Sequence, residues 1–269
     1  MDSRDGTPIA IFSSGTGPPL LLIHGTTADH TTFRAISPIL EGSFRVHAID
    51  RRGRGESGDT SAAYDIQREF EDVSAVAEAV TAESGRPVDI VGHSYGGRCS
   101  LGAAMLTDTI RRIVVYEGAP SPRGEAGYTP AGTKARIAAL IDAGDRDAAL
   151  TAFFRDIVRM PDAELTAYQA NPVWPVRVAA VHTTLRELDG EASPAASLES
   201  LGRVRQPVLQ ILGGASDSVF REATEALDER LANGRIVVID GARHAAHHTH
   251  VDAFVAAIRG FLDEPDVAD

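Results

Sequence analysis

Cysteine is nearly missing from this chain, with Cys99 alone among 269 residues. No intrachain disulfide can form, which excludes a small scaffold stapled by disulfides. Positive charge is also scarce. Lys and Arg number 26 against 38 Asp and Glu, and the net charge of −12 argues against a nucleic-acid or anionic-membrane surface. No apolar run approaches the roughly 18 residues that a membrane span requires. The opening MDSRDGTPIAIF lacks a basic stretch followed by an apolar one, so no secretory signal is visible. These absences describe a soluble, cytoplasmic protein that partners neither nucleic acid nor membrane; its oligomeric state stays open. What is present is enough for a large core, since hydrophobic residues make up 43% of the chain.

Strand-length apolar runs alternate with longer helical patterns, which predicts an α/β fold with a mostly parallel, doubly wound sheet. The strands are expected at 8–12, 20–25, 44–50, 88–94, 111–118, 207–214 and 235–241. Helical patterns fall near 31–40, 65–84, 95–106, 219–232 and 248–262. Residues 119–203 break the alternation. They hold no convincing strand but carry helical stripes: Leu150, Phe153, Phe154, Ile157 and Val158, then Val178, Val181, Leu185 and Leu188. The expected organisation is therefore a core of 1–118 and 204–269 with a helical cap of 119–203 inserted into it.

The stretch DIVGHSYGGRCSLGAAM at 89–105 places Ser94 between Gly92 and Gly96 at a strand-to-helix corner. G-x-S-x-G alone is a weak signal. An apolar strand before it and a glycine- and alanine-rich helix after it supply the setting in which a serine is held out as a nucleophile. A serine hydroxyl needs a base to remove its proton, and the base needs a carboxylate to orient it. Partners in the order Ser, Asp, His are found on loops after later strands: Asp217 in LGGASDS and His244 in DGARHAAHH.

With these residues in view, the sequence resembles the α/β-hydrolase fold superfamily, as a serine-nucleophile, esterase-like member. LLIHGTT (21–27) is similar to the family's HG oxyanion loop, and DRRGRGESG (50–58) to its D-x-R-G-x-G-x-S segment. GGASD is similar to the acid loop, and DGARH to the segment carrying the histidine. The resemblance spans nearly the whole chain outside 119–203. It implies an oxyanion hole made by the backbone amides of Thr26 and Tyr95. It favours Asp217 as the acid, with Glu117 at the end of the 111–118 strand as its rival, because some members carry the acid there. His24 and His93 are expected to orient loops, and Asp50, Arg51 and Arg54 to knit their loop together. The H-x-x-H-H-x-H run from His244 could suggest a metal, but no Cys, Asp or Glu partner has matching spacing, so none is expected. For the substrate pocket the candidates are His30, Phe33, Trp174 and His182, with packing against the core as the competing reading.

The reaction implied is two-step acyl transfer through an acyl-enzyme on Ser94, with no cofactor. The expected substrate is a small or medium, moderately hydrophobic carboxylic ester or lactone. Fold alone leaves open a perhydrolase, a carbon–carbon bond hydrolase, a tailoring lyase or cyclase, or a ligand receptor.

Overall fold

A computed structural model describes residues 1–59 and 64–265. Its sheet has seven strands: β1 (Ile11–Gly15), β2 (Pro19–Ile23), β3 (Arg45–Ile49), β4 (Val88–His93), β5 (Ile110–Tyr116), β6 (Val208–Gly213) and β7 (Gly234–Ile239). They lie in the order β1-β3-β2-β4-β5-β6-β7, and every pair is parallel except β1 with β3. The expected α/β fold is thus present. Side chains alternate faces along each strand. Leu21 and Ile23 join one apolar cluster with Phe70 and Val73, while Leu20 and Leu22 join the other with Phe254 and Ile258.

The core helices are α1 (Ile66–Ser84) and α2 (Tyr95–Ala104), followed later by α8 (Ser218–Asp228) and α9 (Val251–Leu262). Between β5 and β6 lie α3 (Thr133–Asp142), α4 (Arg146–Asp156), α5 (Asp162–Gln169), α6 (Trp174–Ala180) and α7 (Thr184–Gly190). No strand occurs in 119–203 among the described residues. No helix among them is long and apolar enough to cross a membrane.

Two expectations shift. The first strand begins at Ile11 rather than residue 8, because the main chain of 8–10 is engaged elsewhere. Pro8 has no amide and its carbonyl accepts from Gly58, while the Ala10 carbonyl accepts from the Asp50 amide. The helix expected over 31–40 splits into a 3-10 turn at His30–Phe33 and a single turn at Ser37–Leu40 that carries a proline in its first two positions.

A buried ion cluster ties the helical segment to the core. Arg51, after β3, pairs with Glu69 of α1 at 2.8 Å and with Glu187 of α7 at 2.6 Å. Arg54 pairs with Glu69 at 3.2 Å and also reaches Glu187. The loop therefore does more than hold itself together. Burial alone would raise the Glu69 carboxyl, yet the Arg51 and Arg54 guanidiniums hold it at about 2. Glu187→Gln leaves two buried guanidiniums short of a counter-charge and is expected to cost about 3–5 kcal/mol. For a chain of this size that is a fall in Tm of roughly 6–20 °C, read by calorimetry. A change of under a degree or two would show that the cluster contributes little to stability.

Candidate active site

Ser94 sits at the corner between β4 and α2 with φ +54° and ψ −125°, a conformation that L-residues avoid. Close approach explains the flanking glycines. A Cβ at Gly92 would lie 2.5 Å from Ser100 Oγ and 2.6 Å from the Gly96 carbonyl, and one at Gly96 would strike the carbonyl oxygens of Ile23 and His24. The Ser94 amide donates to the Tyr116 carbonyl at 2.8 Å, which ties the corner to β5.

His244 lies in the loop after β7. The Tyr116 hydroxyl holds that loop from both sides, donating to the Arg243 carbonyl and accepting from the Ala246 amide at 2.8 Å. Below His244, Phe220 stacks on the ring with centroids 4.6 Å apart. The carboxylate against His244 belongs to Glu117: its Oε2 lies 2.6 Å from His244 Nδ1. Glu117 Oε1 accepts from the Gly213 amide at 2.8 Å and from Ser216 Oγ at 2.6 Å, so both oxygens are engaged and the side chain is buried.

This corrects the expectation for Asp217. Its Oδ1 accepts from the Val219 amide at 3.1 Å, capping α8, and from Arg159 at 2.8 Å. No hydrogen bond or ion pair joins it to His244 among the described residues. Glu117, one position beyond β5, and Asp217, beyond β6, sit past the same edge of adjacent strands. Glu117 has a left-handed φ of +45°, and its carboxylate is the one at the imidazole.

Thr26, Ser94, Tyr95, Glu117 and His244 line one void of about 40 Å³, little more than one water's share of liquid. The Tyr95 amide is the first of α2 and has no carbonyl behind it to bond; the Thr26 amide has no protein acceptor among the described residues. Val158, Phe220 and His244 also line a second cavity of about 580 Å³, walled by α4, α5, Arg177 of α6 and the His244 loop. All four non-glycine residues with left-handed φ among the described residues (Thr27, Ser94, Glu117 and Arg159) belong to this region.

The four pocket candidates lie outside both cavities. His30 pairs with Asp50 at 2.8 Å and stacks on Phe12 at a surface groove. Phe33 is core, and Trp174 packs on Phe154 and Tyr168 with its Nε1 donating to Asp147. His182 is exposed, its Nδ1 against the Ala179 carbonyl. Packing prevails for Phe33 and Trp174, whereas His30 and His182 neither line these two cavities nor pack into the core. Of the side chains that do line the cavities, Phe154 and Val158 were marked in sequence only as part of a helical stripe, and Phe220, Arg177 and Glu187 were not singled out. His24 takes the orienting role expected of it: Nε2 accepts from the Arg51 amide at 2.9 Å. His93 Nε2 reaches the His244 carbonyl at 3.0 Å.

As to metals, Asp29, His30 and Asp50 bring ligand-type atoms within 4.8 Å of one another. Asp50 Oδ1 already takes the His30 amide and ring, and Oδ2 the Glu56 amide, so the group reads as a loop clasp.

A family model described as the alpha/beta hydrolase family matches residues 20–257. A pimeloyl-[acyl-carrier protein] methyl ester esterase from Neisseria meningitidis is 28% identical, over 91% of this chain and 78% of that protein. A 2-hydroxymuconate semialdehyde hydrolase from a Pseudomonas species is 29% identical, over 96% of this chain and 91% of that one. The crystal structure of an alpha/beta hydrolase from Sphaerobacter thermophilus superposes with a TM-score of 0.78 at 31% identity, covering 94% of this chain and 99% of that chain.

Proposed function

Because this chain belongs to the alpha/beta hydrolase family, we propose that it is a serine hydrolase cleaving a small or medium carboxylic ester or lactone, with residues 119–203 as a cap over the core. The pairing of Glu117 with His244, on a void shared with a left-handed Ser94, is the observation that carries this reading. The name of the Neisseria relative supports an ester as the substrate class.

In this mechanism His244 takes the proton from Ser94 Oγ as the oxygen attacks the ester carbonyl. Glu117 fixes the imidazole through Nδ1, so that Nε2 is the basic nitrogen, and it stabilises the cation that forms. The unbonded amides of Thr26 and Tyr95 receive the oxyanion, each donor worth on the order of 100- to 1000-fold in turnover. His244 then protonates the departing alcohol oxygen, and water, activated by the same ring, releases the acid. With so little room at Ser94, the bulk of the substrate lies in the 580 Å³ cavity, a usual size for a small-molecule site.

Mixing stoichiometric enzyme with a short-chain p-nitrophenyl ester tests this. A burst of p-nitrophenolate equal to the enzyme concentration is expected, and Ser94→Ala abolishes it. Release that persists in Ser94→Ala would remove the serine mechanism.

A further inference from the structure

Arg177 of α6 is a buried guanidinium without a carboxylate partner among the described residues. Its two terminal nitrogens donate to neutral oxygens, the Thr26 carbonyl at 3.2 Å and Thr32 Oγ1 at 3.1 Å. Its Nε is buried and bonds to nothing. The side chain is 9% exposed, and the group lies over the Phe154 and Tyr168 rings at 5.9 and 5.7 Å. Those ring faces offset part of the cost of burying a cation, but a lone buried charge still calls for an anion.

A second group in the same wall is also unsatisfied. His247 is 2% exposed, and neither ring nitrogen has a partner. Burial, with the field of Arg177, keeps this imidazole neutral, so it offers one N–H donor. The carboxylates of this cavity, Glu164 and Asp217, are already taken by Arg243 at 3.3 Å and Arg159 at 2.8 Å. What remains is net positive, which is unexpected in a chain of charge −12.

We infer that Arg177 and His247 form a carboxylate-binding subsite in the large cavity, so that the substrate is an ester bearing a second, free carboxylate, such as a monoester of a dicarboxylic acid. This rests on the ester-hydrolase reading above. The carboxylate replaces no protein anion. It accepts from Arg177 and from the His247 N–H, while the ester end reaches Ser94 beside the Thr26 loop that Arg177 also grips. A hydrogen bond between charged partners contributes about 1.5–3 kcal/mol, or roughly 10- to 100-fold in kcat/KM.

The test compares monomethyl adipate with methyl hexanoate, in which a methyl group stands where the carboxylate was, by proton release at constant pH. Wild type is expected to prefer the anionic ester roughly 10- to 100-fold, chiefly through KM. Arg177→Met abolishes the preference, and Arg177→Lys, which keeps the charge, retains part of it. Taking the ratio of the two esters within each variant cancels any general effect of loosening the Thr26 loop. Calorimetric binding of monomethyl adipate to Ser94→Ala, with and without Arg177→Met, reads the subsite apart from turnover. Equal kcat/KM for both esters, or a preference that survives Arg177→Met, overturns the proposal. Binding that depends on Arg177 without hydrolysis of either ester keeps the subsite and removes the ester-hydrolase reading instead. Hydrolysis of methyl hexanoate without calorimetric binding of the adipate does the reverse.

Discussion

Glu117→Gln is expected to lower kcat/KM for an ester by about 10⁴-fold, the size of effect seen when the carboxylate of such a triad becomes an amide. The substitution is isosteric, and the retained amide oxygen can still accept from Gly213 and Ser216, so the loop stays in place. What changes is the oxygen facing His244 Nδ1, 2.6 Å away. An amide N–H there donates where the ring must donate, which selects the wrong tautomer and withdraws the charge that steadies the imidazolium. Asp217→Asn is expected to change turnover little, since Asn also caps helices well and the Arg159 contact lies away from the ring. Steady-state kinetics of the two variants side by side decide the matter. The reverse ranking would hand the orienting role back to Asp217.

Stability is expected to fall steeply on acidification below pH 6.5. Burial lowers the pKa of His24, His93 and His247 well below the ordinary 6.5, with the charge of Arg51 at His24 and of Arg177 at His93 and His247 adding to it. For His248, burial and the nearby Arg34 and Arg177 bring the value to about 4. As pH drops through 6.5 the unfolded chain binds protons on these rings and the folded chain does not. The unfolded state therefore gains proton-binding free energy, and folding stability is lost. Each fully buried ring contributes up to about 1.4 kcal/mol per pH unit, so the three together give about 4 kcal/mol per unit. The half-exposed His248 adds a smaller, screened share. Against total stabilities of about 5–15 kcal/mol, such a slope removes a large share of the stability by pH 5. Melting curves at pH 8, 7, 6 and 5 provide the measurement. A Tm that stays level from 7 to 5 would mean these rings titrate in the fold much as they do outside it.

Most of the sheet was legible in the sequence because its inner strands, such as β2, β4 and β6, are buried on both faces and read as short apolar runs. Ser94 was legible for a related reason: its flanking glycines report a backbone crowded by β2 and its own helix. The acid was harder. Glu117 and Asp217 both stand just past strands that lie side by side, and a pattern of residues says nothing about a left-handed φ at Glu117. One local signal did point the right way. Asp217 immediately precedes an apolar helical pattern, which is where a helix cap belongs. The helical segment hid most. Its stripes marked which faces are buried, but Arg177 and Glu187 find their contacts more than a hundred positions away, at Thr26, Thr32, Arg51 and Arg54. Periodicity within a helix carries no information about such partners.

The backbone at Thr27, Ser94, Glu117 and Arg159 has a further consequence. A left-handed conformation disfavours an L-residue by roughly 1–2 kcal/mol at each position, and glycine escapes most of that. Where no side-chain bond offsets that cost, as at Ser94, selection for thermal resistance alone should therefore drift toward glycine and arrive at a tougher protein that has lost its chemistry. Selection for turnover pushes the other way. The least relaxed part of the fold is the part that no purely thermodynamic search would preserve.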